Sequence, residues 1–307
     1  MKPANTSSPI ANLALPVFAA PMFLVSGTQL VIAACRAGII GAFPAANARS
    51  SDIYEQWLHE ITSALETSDA APWAVNLVVH KLNPRLDKDL ELTCKYQAPI
   101  VITALGSPKA VIEAIQGYGG KVFADVSTVA HARKAAAAGV DGLILVAAGS
   151  GGHTGSVSAF AFVPAVREFW HGPLVLAGGI TDGKGVKAAQ ALGADYAYMG
   201  TRFIPAQESM ANSSYKQMLI DSDVGDIICT NAFTGIPNNM LRPSIINAGL
   251  DPDNIPASER SSINFDDPHA GAKAWRDIWS AGHGVGSIQA VQSTQQIVES
   301  LTRQYLA

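Results

Sequence analysis

Charge is scarce in this chain: 15% of its 307 residues are Asp, Glu, Lys or Arg, against 48% apolar. The 21 Lys and Arg against 25 Asp and Glu leave a net charge of −4, and no Lys/Arg cluster occurs. That removes nucleic acid and anionic membrane as natural partners. Cysteine is nearly absent too. Cys35, Cys94 and Cys229 stand far apart, without the paired spacing of metal or redox motifs, and read as free thiols in a reducing compartment. Long apolar runs are missing as well. The strongly apolar stretch 17–43 is broken by Pro21, Gln29, Arg36 and glycines, so it suits two strands around a helix better than a membrane span. Residues 1–12 are polar with a single Lys, a poor signal-peptide start, and the expectation is a soluble cytoplasmic protein. No GxGxxG follows the first apolar run, which disfavours a doubly wound dinucleotide fold.

What the chain does contain is a repeated unit: a short apolar run, a Gly/Pro/polar turn, then an Ala-rich amphipathic stretch. Apolar runs fall at 17–20, 39–43, 73–79, 100–105, 122–126, 142–147, 174–177 and 196–199. Helical stretches are expected at 28–37, 51–66, 84–96, 107–118, 128–138 and 183–192, with Gly139 and Gly193 placed as left-handed helix stops. Strands alternating with helices indicate a parallel sheet, and eight of them indicate an α/β (β/α)8 TIM barrel. Residues 207–273 break the pattern with five prolines and many Asn, Ser and Asp. They are read as a lid inserted between strand 8 and the last helix, leaving 1–206 and 274–307 as the barrel, with helical pattern resuming over 275–306.

Chemistry in such a barrel collects at the carboxyl ends of the strands. Gly178 and Gly179 follow the seventh run and Gly200 and Thr201 the eighth, where backbone N–H groups can approach a phosphate. The sixth run ends in Gly149-Ser150-Gly151-Gly152-His153-Thr154-Gly155, a loop that can pass beneath a flat ring, with His153 a candidate base. Asn76 lies inside the third run, either bonded to neighbouring backbone or offered to a cofactor. Lys121 and Asp125, in the fifth, either contact a cofactor's polyol chain or pair with one another.

Taken together these pieces resemble the nitronate monooxygenase family, formerly the 2-nitropropane dioxygenases. The matching residues are Ala20-Pro21-Met22, Asn76, Gly151-Gly152-His153 with Gly155, and Ala177-Gly178-Gly179-Ile180. Gly200-Thr201-Arg202-Phe203 with Glu208, and Ser280-Ala281-Gly282, complete the set. The resemblance implies FMN without a metal: phosphate on Gly179 and Gly200–Thr201, ring near Ala20, Pro21 and Met22, Asn76 and Lys121 at its edge, and His153 over it. It implies oxidation of alkyl nitronates by O2 to a carbonyl compound and nitrite, with neutral nitroalkanes as a second substrate class. His283 departs from the family, which often has Gln after the Ser-Ala-Gly, and with Ser280 is expected near the substrate. Two rivals stay open. One is an NAD(P)H-dependent reductase of quinones or enoyl thioesters on the same cofactor. The other is a flavin-free barrel, for which no Lys or carboxylate pair stands at the strand ends. A homodimer is compatible with the sequence, which does not settle oligomeric state.

Overall fold

A computed structural model describes residue 10 and residues 13–66, 69–255 and 276–307. Eight parallel strands close into a barrel: β1 (Val17–Ala19), β2 (Ile40–Pro44), β3 (Trp73–Val78), β4 (Ile100–Ala104), β5 (Lys121–Val126), β6 (Gly142–Val146), β8 (Leu174–Ala177) and β9 (Tyr196–Met199). The ring closes where β1 pairs with β9, Phe18 opposite Tyr198. This is the (β/α)8 barrel that the eight apolar runs imply. The two-residue β7 (Gly152–His153) lies outside it.

Side chains alternate along a strand, so each barrel strand sends one parity inward. Phe18, Ile40, Ala42, Ala74, Ile100, Ile102, Phe123, Ile144, Val175 and Tyr196 form the interior cluster. Phe18 plugs the middle, 5.9 Å from the ring of Phe123 and 5.6 Å, edge-on, from Tyr196. The opposite parity, such as Val75, Val101 and Leu143, packs under the helices.

Those helices are α1 (Thr28–Arg36), α2 (Ser51–Leu65), α3 (Leu86–Lys95), α4 (Lys109–Gly117), α5 (Val129–Ala138), α6 (Ala159–Arg167) and α7 (Gly183–Leu192). Ser50, Thr128 and Asp182 cap α2, α5 and α7 by accepting from Ile53, His131 and Gly185 N–H groups, each worth about 1 kcal/mol. Gly139 and Gly193 take positive φ at the helix ends, as expected. Helix α6 was not anticipated, because Pro164 interrupts its pattern. Buried Phe162, Val163 and Val166 hold it despite the lost N–H.

Beyond β9 the chain forms α8 (Ser213–Asp221), β10 (Ile227–Thr230), β11 (Asn238–Leu241) and α9 (Arg242–Asn247). β10 and β11 make an antiparallel hairpin, and β11 also pairs with β7, giving a three-stranded sheet. Residues 256–275, the end of the expected insertion, lie outside the described residues. Of the helical pattern expected over 275–306, Arg276 is helical and the long helix starts at Thr294. Residues 277–293 between them are mostly irregular, with a short 3-10 turn at Val285–Ser287. The terminal helix α10 (Thr294–Leu306) buries Ile297, Val298 and Leu301 against Leu30, Ala34 and Val186 of α1 and α7, closing the outer ring.

Candidate active site

The inward position one layer above the interior cluster forms the floor of a cavity of about 980 Å³ at the carboxyl ends of the strands. The floor residues are Ala20, Pro44, Asn76, Ala104, Asp125, Val146, Ala177 and Tyr198. Four of the eight are Ala or Val and so leave room above them. Asn76 Nδ2 donates to Ile102 O at 3.1 Å, so the amide is both backbone-bonded and part of the wall.

One wall is glycine. Gly178, Gly179 and Gly200–Thr201 line it at the ends of β8 and β9. Gly179 has φ +68, and a Cβ there would meet no atom within 4 Å, because it would stand in the cavity. Thr201 Oγ1 accepts from Gly282 N at 2.8 Å, which ties this turn to the 280s segment.

The adjoining wall is built by β7. His153 pairs in register with Asn238 and Gly152 with Asn239. Asn239 Nδ2 donates to Ser150 O at 2.7 Å, and Thr154 N donates to Pro237 O at 3.0 Å. Thr234 Oγ1 lies 3.4 Å from His153 Nε2, and Phe233, Thr234 and Ile236 line the cavity beside it. Burial by this covering hairpin pushes the imidazole down to about 4, so it is neutral at physiological pH. The glycine loop around His153 offers it little side-chain bulk of its own. The hairpin supplies the burial.

The β1 end is rigid. Asn47 Nδ2 donates to Met22 O (2.9 Å) and Ser26 O (2.8 Å), while its Oδ1 accepts from Leu24 N (2.9 Å). This holds Leu24 at φ +59, a strained conformation for a branched side chain, and fixes Pro21 and Met22 in the cavity wall. Asn47 was not singled out from sequence. An Asn just past a strand end is the only signal it gives.

The structure gathers Ala20, Pro21, Met22, Asn76, Gly151, Gly152, His153, Gly178, Gly179, Gly200, Thr201 and Ser280 around the one cavity. Two expected residues are elsewhere. Lys121 is the first residue of β5, at the amino end of the barrel, exposed and paired with Asp141 at 3.1 Å. A strand-opening residue and a strand-closing one lie on opposite faces, so Lys121 and Asp125 do not meet. His283 is exposed and lies over Gly149, its N–H donating to Gly149 O at 3.0 Å, and is not in the cavity wall. Arg202 and Glu208, part of the resemblance, act structurally. Arg202 donates to Gln292 Oε1 at 2.6 Å, and Glu208 accepts from Thr294 N and Oγ1 at the start of α10.

A profile of the nitronate monooxygenase family matches residues 82–304. The chain belongs to that family. A hydroxy-methyl-oxo-octahydroindene-carboxyl-CoA dehydrogenase of Rhodococcus jostii is 29% identical over 233 residues, which are 76% of this chain and 64% of the relative. The match thus spans just under two thirds of that relative's length. A probable nitronate monooxygenase of Staphylococcus saprophyticus is 26% identical and is covered almost end to end, 99% of this chain against 98% of the relative. Among solved structures, FabK from Thermotoga maritima matches with a TM-score of 0.80 and 26% identity over 96% of this chain and 93% of its own. Nitroalkane oxidase from Streptomyces ansochromogenes matches with 0.79 and 25% identity over 96% of each chain. No helix among the described residues is long and apolar enough to cross a membrane, and no group of three or more His, Cys, Asp or Glu there could hold a metal.

A flavin is the cofactor that this family implies, and the residues fit one. The cavity volume lies in the range of small-molecule sites. Gly179 leaves open space for a phosphate beside backbone N–H groups, and two buried polar atoms of the floor, Asp125 Oδ1 and Tyr198 OH, have no hydrogen-bond partner among the described residues.

Proposed function

We propose that this protein is an FMN-dependent oxidoreductase that oxidises alkyl nitronates with O2 to a carbonyl compound and nitrite. The observation that carries the reading is His153, held neutral in the wall of a cavity that also carries glycine turns suited to a phosphate. Gly178, Gly179, Gly200 and Thr201 would hold the phosphate, and Pro21, Met22 and Asn76 the ring. FMN, when bound, supplies the electron acceptor for nitronate and the donor for O2. His153 offers a neutral nitrogen to the substrate, and Thr234 and Phe233 cover it and exclude water.

An imidazole titrating near 4 is always in its base form but is a weak base, far from the optimum near operating pH. Nitronates, already deprotonated, need no such base. The pocket therefore favours nitronates over neutral nitroalkanes. The test compares propyl-3-nitronate with its neutral nitroalkane in the wild type and in His153→Asn. The protein should purify yellow with releasable FMN. The substitution should cut nitroalkane turnover by about 10²–10⁴-fold and nitronate turnover much less. An equal fall for both forms would remove the proton-abstraction role.

A second reading has one observation of its own. His131 and Lys134 of α5 stand on the cavity rim, where they would suit an anionic tail such as that of the CoA ester named for the Rhodococcus relative. Rapid reduction of the flavin by NADH or NADPH, with no oxidation of nitronate, would favour an NAD(P)H-dependent reductase of thioesters or quinones.

A further inference from the structure

The cavity floor carries two polar side chains that the chemistry assigned to His153 does not use. Asp125 lies two residues beyond Phe123 on β5 and Tyr198 two beyond Tyr196 on β9, so each continues an inward-facing row. The rest of the floor is apolar, Ala20, Pro44, Ala104, Val146 and Ala177, apart from Asn76, whose amide donates to Ile102 O. Asp125 Oδ1 and Tyr198 OH are buried without a hydrogen-bond partner among the described residues. Native proteins rarely leave such atoms unmatched, so these two point to a ligand that satisfies them. A carboxylate buried there without a cation is the costly form, and no cation is paired with Asp125 among the described residues. Lys121, the cation of its own strand, is engaged by Asp141 at the far end. A protonated carboxyl presents an O–H donor beside a C=O acceptor, and the phenol adds a second donor. That pattern complements an amide-like edge, in which ring nitrogens alternate with carbonyl oxygens.

We propose that Asp125, as a neutral acid, and Tyr198 are binding residues that hold the heteroatom-rich edge of the flavin ring over the barrel floor. The proposal rests on the FMN reading above. Burial moves the Asp125 carboxyl up to about 7 and the Tyr198 hydroxyl well above its ordinary value, so both carry protons below neutrality. The other titratable groups on the same cavity are His153, neutral; His131 and Lys134 on the rim; Arg85 with Asp89, which pair with each other; and Tyr215, whose hydroxyl donates to Ser280 O. Above neutrality Asp125 would lose its donor and set a negative charge against the acceptor oxygens of the ring.

The test is equilibrium dialysis of full-length holoenzyme against FMN from pH 6 to pH 9, with absorbance reporting bound flavin. Wild-type affinity should fall at least tenfold between about pH 7 and pH 9, since one proton must be retained for binding. Asp125→Asn keeps a donor and an acceptor and removes the charge, so it should show no such fall and should bind more tightly than wild type at pH 9. Tyr198→Phe should bind about three- to tenfold more weakly at every pH. The FMN phosphate ionises near pH 6 in all variants, so the difference between profiles isolates Asp125. Identical pH profiles for wild type and Asp125→Asn would overturn the proposal and leave the FMN reading standing. A wild type that binds no FMN at any pH would overturn both. The Asn variant conserves side-chain volume, and its circular dichroism shows that the barrel has formed.

Discussion

Two buried titratable groups of the cavity pull the pH dependence of stability in opposite directions. Asp125 titrates near 7 in the folded chain against 3.8 ordinarily, so between those values the folded state holds the extra proton. Its stabilisation is complete below about 4 and is lost as pH rises to 7. His153 titrates near 4 against 6.5, so over nearly the same range the unfolded state holds the extra proton. Its contribution is present above 6.5 and is lost as pH falls to 4. At 1.36 kcal/mol per unit, each slope amounts to a few kcal/mol at most, and the two nearly cancel. Flavin-free wild type should therefore have a melting temperature almost flat between pH 4.5 and 6.5. Asp125→Asn should turn that into a rise with pH, and His153→Asn into a fall. Parallel curves for all three, by calorimetry, would show that neither group is shifted as described. Neither shift is legible in the sequence. Asp125 reads as one charge in an apolar run, and its isolation depends on seven other strands supplying Ala, Pro, Val, Asn and Tyr at the same level.

The barrel strands and most helices could be read from the chain because each is a local periodic pattern with its own stop signal. Ser50 and Thr128 as caps, and Gly139 and Gly193 as ends, lie within a few residues of the helices they delimit. The sheet that holds His153 could not be read this way. Its strand β7 has two residues, and its partner β11 lies some 85 residues later, so no periodicity joins them. Asn47 is hidden for a similar reason, since its three bonds reach back 21 to 25 residues to the loop after β1. The structure also changes what the inserted segment can do. Residues 227–241 are hydrogen-bonded to the His153 loop, so the hairpin and β7 should exchange amide hydrogen together, and more slowly than 242–255. Asn239→Ala removes the buried bond to Ser150 O, which should cost about 1–3 kcal/mol. It should also raise exchange at both 152–153 and 238–241. Faster exchange in the hairpin alone would mean that it opens as a flap without moving His153.

Closure of the whole molecule depends on α10 docking beside α7, and that contact leaves no room at Gly183. A Cβ there would run into Leu301 O and Tyr305 N on α10. Gly179, four residues earlier, has the reverse property, since a Cβ would touch only the cavity. Gly183→Ala should therefore lower the melting temperature by several degrees, by forcing α10 away. Gly179→Ala should leave a folded barrel, at the cost of some backbone strain, with markedly less bound flavin. Loss of flavin in the first with unchanged stability, or the converse in the second, would reverse the assignment of architecture and site to these two positions. The three thiols are graded by depth in the same molecule. Cys35, fully buried under α2, is pushed up to about 12, Cys94 is half-buried and also raised, and Cys229 is exposed on β10. Because β10 is the outer strand of the sheet ending at His153, the chain carries a built-in attachment point for a reporter. A maleimide dye should couple first at Cys229. Its fluorescence would follow the cover of the active site in native protein, without any engineered cysteine.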